Sequence, residues 1–217
     1  LSNKNTGNIG TLGCFVYSPK DINKNIKKLK SAKHTTPDPF TLWEQVAQLT
    51  LKHEISNLAI EASSHALTQN RLKNLPIDTA IFSNLSQDHL DYHKTMDNYF
   101  DAKLKLFTEN ENLKLAIIYL DSNLSKLQLD KLINYLINNK IKYITYALSS
   151  KPLYNYSPDF YYSDILPNKD GFKVKLNTPD NIIDLNIPLY GRFNLANILA
   201  ALISSIYYLD LNPIILK

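Results

Sequence analysis

The stretch IEASSHALTQNRL, residues 60–72, places an acid, two serines, a histidine, an amide and an arginine directly after an apolar run that reads as a buried strand. A carboxylate at such a strand end must be paired or must hold a cation, because its desolvation is otherwise too costly. Glu61 is therefore a candidate metal ligand. A second polar segment, SNLSQDHLDYH at 83–93, offers His89 as a neutral nitrogen donor and Asp88 and Asp91 as further oxygen donors. Together these suit a divalent metal. The i, i+4 spacing of His89 and His93 fits one face of a helix, as in a zinc site, but H-E-x-x-H is absent and no third ligand is evident. The competing reading has these side chains capping the next helix and bonding to one another.

Other candidates are weaker when taken singly. Lys103 lies in a helical pattern with Phe100, Leu104 and Phe107 and reads as a surface lysine with its stem laid on apolar neighbours. Arg71, two positions from Gln69, reads either as a surface residue or as a planar fork for an anion. In GRFNLAN, residues 191–197, the glycine permits a sharp turn into a helix. Asn194 and Asn197 are three apart, so both amides can face one side of its first turn, either as caps or as readers of a base edge.

The surrounding elements place these groups where ligands bind in open parallel sheets, outside the carboxyl ends of strands. The clusters at Thr35–Asp38, Glu61–Arg71 and Asn84–His93 follow that rule. Apolar runs at 57–62, 79–84, 114–120 and 142–147 alternate with helical patterns at 40–53, 97–108 and 124–138. Such alternation predicts an α/β fold: a mostly parallel sheet with helices on both faces. Residues 9–17 read as a short strand, and the lysine-rich stretch to about 38 as loop. After residue 150, strand-like segments with the turn Asn168-Lys169-Asp170-Gly171 predict a small antiparallel sheet or meander beside the main one. A long helix follows Gly191, and Asn212-Pro213 reads as the opening of another. The expected division is 1–150 parallel α/β part, 151–190 antiparallel strands and 191–217 helical part, all within one domain.

Composition narrows the function classes. With 217 residues and 44% hydrophobic content, the chain can bury a real core. A formal charge of +4 comes from scattered lysines apart from Lys24, Lys27, Lys28, Lys30 and Lys33, which read as a solvated face, so nucleic-acid binding is not favoured. The single cysteine, Cys14, leaves no internal disulfide and fits a reducing compartment. No run of about 18 apolar residues marks a membrane span, and the first residues lack a secretory pattern. The expectation is a cytoplasmic protein, monomeric, without nucleic-acid or membrane partners. The missing initiating Met and the stop after Asn212-Pro213 read as an excised or cut piece.

The segments TTPDP (35–39), EASSHALTQNRL (61–72), FSNLSQDHLDYHKTMDNYFDAKLKLF (82–107) and GRFNLANILAA (191–201) resemble, in order and spacing, the central domain of the Mur ligase family, and within it the MurE branch. That branch adds the third amino acid of the peptidoglycan stem. The resemblance implies that Glu61 and His89 hold Mg2+ and that Lys103 is the lysine the family carbamylates. It implies that Thr35, Thr36, Ser63, Gln69 and Arg71 contact UDP-MurNAc-dipeptide, and that Asn194 and Asn197 lie against the adenine of ATP. The implied reaction phosphorylates the terminal carboxylate to an acyl phosphate, which the amine of the incoming amino acid attacks. Three features depart from the family: no G-x-x-x-x-G-K-[ST] occurs anywhere in the chain, the family's flanking N- and C-terminal domains are missing, and His34 replaces the usual Asn before the threonine pair. This sequence by itself is thus expected not to catalyse ligation. The alternatives are a non-catalytic remnant or binding module of the same fold, or a fragment of another superfamily ligase such as a folylpolyglutamate synthase.

Overall fold

The computed structural model describes residues 4–19 and 26–209. In chain order the elements are β1 (Asn5–Gly10), β2 (Gly13–Tyr17), β3 (Ile26–Lys30), α1 (Pro39–His53), β4 (Ile55–Ile60), α2 (Ser64–Thr68), β5 (Thr79–Phe82), α3 (Leu90–His93), α4 (Met96–Thr108), β6 (Leu115–Tyr119), α5 (Lys126–Asn138), β7 (Lys142–Ala147), β8 (Phe160–Asn168), β9 (Gly171–Asn177), β10 (Ile182–Ile187) and α6 (Arg192–Leu209). They form two compact units, one of residues 1–75 with 97–109 and one of residues 76–96 with 110–217.

The first unit holds a four-stranded sheet in the order β3-β2-β1-β4. β1 and β2 form a hairpin whose Gly10↔Gly13 pair leaves Thr11 and Leu12 as a two-residue loop, and the chain enters β2 through Gly13 at φ 120, a backbone conformation that glycine adopts without strain. β4 then runs parallel to β1, with Ile9 opposite Ile60. α1 supplies the crossover and starts where the sequence places it: Asp38 caps the Thr41 backbone N–H, and Pro39 occupies the first turn. Its core face is Leu42, Gln45 and Leu49.

Two expectations change in this unit. The lysine-rich stretch is not all loop, because Ile26–Lys30 pairs with β2 as an edge strand. Lysines suit an exposed edge, where they discourage further pairing; Lys28 lies over the Phe15 ring at 5.6 Å and Lys30 pairs with Glu44 at 2.8 Å. Lys24 lies outside the described residues. The run at 57–62, read as a member of the main parallel sheet, instead pairs with β1.

The second unit holds a six-stranded sheet in the order β10-β9-β8-β7-β6-β5. β5 to β8 are parallel, and β8, β9 and β10 continue the same sheet as an antiparallel meander. The antiparallel strands therefore extend the main sheet rather than forming their own, and the smaller sheet is the mixed one of the first unit. The parallel strands are continuous apolar runs: Leu115, Ala116, Ile117 and Ile118 are all buried. Tyr146, Tyr162, Leu176 and Ile183 pack with Leu195, Leu199 and Ile203 of α6 in one core. α5 starts in a capping box made by Ser125 and Gln128. The helix expected at Asn212-Pro213 lies outside the described residues.

Candidate functional site

The parallel pairing of β4 with β1 decides where Glu61 goes. Its N–H donates to Ile9 O at 2.9 Å, which continues the ladder one residue and sets the side chain beside the β1–β2 turn. There Glu61 Oε2 accepts from Thr11 N at 3.1 Å and from the Thr11 hydroxyl at 2.7 Å. The other oxygen faces Gly10, where a Cβ would stand 2.5 Å from Oε1. Only glycine leaves that space. Glu61 is exposed, so the desolvation argument made from sequence does not hold it; Thr11 does.

Around it the sequence-named residues form one hydrogen-bonded loop system. Thr36 is fully buried, and its hydroxyl donates to Glu61 O at 2.5 Å while accepting from Ser63 N at 3.0 Å. Ser63 caps α2 by accepting from Ala66 N at 3.3 Å. Arg71 donates through Nη1 to Thr36 O at 2.8 Å, and through Nε and Nη2 to Gln69 Oε1 at 2.9 and 2.6 Å. Thr35 Oγ1 lies 3.1 Å from the Thr11 hydroxyl. Thr35, Thr36, Glu61, Ser63, Gln69 and Arg71 thus belong to a single preordered network at the carboxyl ends of β1 and β4. Thr11 and Gly10 were not singled out from the sequence. The signal was the G-x-x-G hairpin at 10–13, which fixes a turn beside the end of a parallel neighbour.

Lys103 belongs to the same unit, on α4, half-buried, with Nζ 5.0 Å from the centre of the Tyr99 ring.

His89, Asn194 and Asn197 belong to the second unit. His89 is the residue before α3, with left-handed backbone at φ 55, and its N–H donates to Asp88 Oδ1 at 2.7 Å. His93 is buried and lies edge-on to Tyr92 at 4.9 Å. The single turn of α3 therefore does not present the two histidines on one open helix face, because His89 is not helical. No three His, Cys, Asp or Glu side chains converge among the described residues.

At the start of α6, Gly191 at φ 89 makes the turn and Asn194 Nδ2 donates back to Tyr190 O at 2.7 Å. Asn194 therefore ties the chain to the helix, while Asn197 is exposed one turn on. At the carboxyl end of β6, Tyr119 stacks on Tyr146 at 4.9 Å, and its phenol is pushed up to about 12 by burial and then by the carboxylate of Asp121.

No helix among the described residues is long and apolar enough to cross a membrane.

An open α/β domain with ligand-type groups on loops at strand carboxyl ends is the class this geometry defines. A family model described as the Mur ligase middle domain matches residues 1–205, and the chain belongs to that family. It is 38% identical over 195 residues to the UDP-N-acetylmuramoyl-L-alanyl-D-glutamate--2,6-diaminopimelate ligase of Pseudomonas syringae pv. tomato, covering 90% of this chain and 36% of that protein. It is 32% identical over 207 residues to the ligase of the same name from Rickettsia montanensis, covering 95% and 40%. A solved structure of a ligase of that name superposes with a TM-score of 0.75 at 31% identity, over 96% of this chain and 38% of that one. The likeness to L. casei FPGS, a TM-score of 0.61 at 12% identity over 96% of this chain and 52% of that one, shows the shared fold alone. The chain thus spans well under half the length of these curated relatives.

Proposed function

We propose that this chain is the central domain of an ATP-dependent ligase that joins an amino acid to UDP-MurNAc-dipeptide, the third-residue step of the peptidoglycan stem. The observation that carries the reading is the Thr36–Glu61–Ser63–Arg71 network, whose hydrogen bonds fix hydroxyl, carboxylate and guanidinium groups relative to one another. In this reading Thr35, Ser63, Gln69 and Arg71 present hydroxyl, amide and guanidinium groups to the anionic nucleotide-sugar peptide. Arg71 also acts as a strut under Thr36, so its loss would loosen the loop as well as remove a cation.

The donor set tests whether magnesium fits. Glu61 offers one carboxylate oxygen not engaged by Thr11, a hard ligand of the kind magnesium takes singly while keeping several waters. His89, which belongs to the second unit, suits the ion less well, since nitrogen is not a preferred magnesium ligand. The ion, when bound, neutralises charge on the transferred phosphoryl group. Lys103 would serve as the lysine carbamylated in the family, its amine adding to carbon dioxide with release of a proton, which converts a cation to an anion. Asn194 and Asn197 would lie against adenine. Phosphorylation of the substrate carboxylate gives an acyl phosphate, and attack by the amino acid's amine releases phosphate.

The test is a titration of the isotope-labelled chain with UDP-MurNAc-L-Ala-D-Glu. Saturable shifts at the Thr36, Ser63 and Arg71 backbone amides are expected. A titration that leaves those amides unmoved while the chain is folded sinks the substrate reading.

A further inference from the structure

Thr11 lies in the two-residue turn between β1 and β2 and is exposed, as is its neighbour Leu12. The turn itself asks only for a short, tolerant loop. Yet the polar atoms of Thr11, hydroxyl and backbone N–H alike, are all directed to groups elsewhere in the chain.

The protons can be assigned one by one. A threonine hydroxyl has a single proton to donate, and a carboxylate has only lone pairs. The 2.7 Å bond from Thr11 Oγ1 to Glu61 Oε2 therefore commits the Thr11 proton. Thr35 Oγ1, 3.1 Å from the same hydroxyl, must then donate to it. Donation runs from Thr35 to Thr11 to Glu61, and this order keeps the Thr11 proton on the carboxylate. Thr11 N donates to the same oxygen at 3.1 Å. Oε2 thus accepts two hydrogen bonds, as many as its lone pairs take. Oε1 accepts none among the described residues and lies against Gly10.

This asymmetry bears on which ion the carboxylate suits. Calcium readily takes a carboxylate through both oxygens, whereas magnesium takes a single oxygen and keeps several waters. A carboxylate with one oxygen sealed serves the second ion as it stands, and serves the first in two-oxygen fashion only after both Thr11 bonds break.

We propose that Thr11 is a positioning residue that sets cation specificity at Glu61: by sealing Oε2 it holds the carboxylate to single-oxygen coordination and so favours magnesium over calcium. The proposal rests on the reading that Glu61 holds the metal ion, and it adds a residue outside the ligand set that decides which ion fits.

The experiment adds Mn2+, a paramagnetic ion with magnesium's preference for oxygen ligands, to the isotope-labelled chain and then titrates in Mg2+ or Ca2+ as competitor. Broadening centred on the Gly10, Thr11 and Glu61 amides is expected, absent in Glu61→Gln, with Mg2+ relieving it at lower concentration than Ca2+. Thr11→Val keeps the bulk and the backbone N–H but not the hydroxyl. It should lower Mg2+ affinity roughly 10-fold, the smaller end of the loss on removing an outer-shell partner of a metal ligand. Ca2+ affinity should hold level or tighten, so the preference for Mg2+ falls by at least that factor, and Thr11→Ser should keep it. Unmoved amides of Gly7, Leu49 and Leu58, which pack together in the first unit, would show that the variants are folded. A turn that was merely loosened would weaken both ions alike. If Thr11→Val weakens both ions equally, or neither, the specificity role is overturned and the metal reading of Glu61 stands. If the broadening does not centre on Glu61, or survives in Glu61→Gln, both fall.

Discussion

Thr36 has no charge and no exposed surface, yet the loop that carries the ligand-type groups depends on its hydroxyl. That oxygen satisfies Ser63 N and donates to Glu61 O, both at least partly buried. Thr36→Val keeps the shape and leaves these groups without a partner, so unfolding free energy from urea titration should fall by about 1–3 kcal/mol. Thr36→Ser should recover most of it. A second residue-scale effect is tied to pH. Hydrogen bonds from Thr41, side chain first and backbone next, hold the Asp38 carboxyl below the usual aspartate value. A folded value below the unfolded one means that the stabilisation is fully present above the unfolded value, near 4, and is lost as pH falls through the folded one. The thermal midpoint of the parent should therefore drop more steeply than that of Asp38→Asn between about pH 5 and pH 2.5. Parallel curves would remove Asp38 from the acid limb.

At the scale of elements, local chemistry decides most boundaries. Ser125 and Gln128 cap the start of α5 reciprocally, so Ser125→Ala should cost about 1 kcal/mol by chemical denaturation. Signals of this kind made α1, α4, α5 and α6 legible from the sequence, since caps, glycines and three- to four-residue apolar spacing act within a few positions. The apolar runs identified the parallel strands for the same reason. What sequence could not carry was pairing. β4 has the same apolar character as β5 and β6, and nothing local tells that it hydrogen-bonds to β1 instead. β3 was hidden because its lysines obey the rules of an edge. Glu61 was found through a burial argument that proved wrong, and its true anchor, Thr11, is 50 residues away in the chain.

For the molecule as a whole, the decisive question is how much of a nucleotide its 217 residues can hold. A triphosphate is bound chiefly by consecutive backbone N–H groups in a glycine-rich loop backed by a lysine. The five glycines of this chain are spent otherwise. A Cβ at Gly7 would stand 2.9 Å from an Ile55 methyl, Gly10 makes room for Glu61, Gly13 lies against Lys30 O, Gly171 turns β8 into β9, and Gly191 seats Phe193. Under the proposed function ATP would meet the Asn194 and Asn197 amides and a magnesium ion on Glu61, while the sequence holds no G-x-x-x-x-G-K-[ST] loop for the phosphates that carry the charge. Calorimetric titration of this polypeptide with ATP and magnesium should thus show no micromolar binding, and Glu61→Gln should change the result little. A micromolar dissociation constant abolished by Glu61→Gln would mean the opposite: that the metal held by Glu61 is enough to anchor the triphosphate, and that the phosphate loop serves catalysis more than affinity.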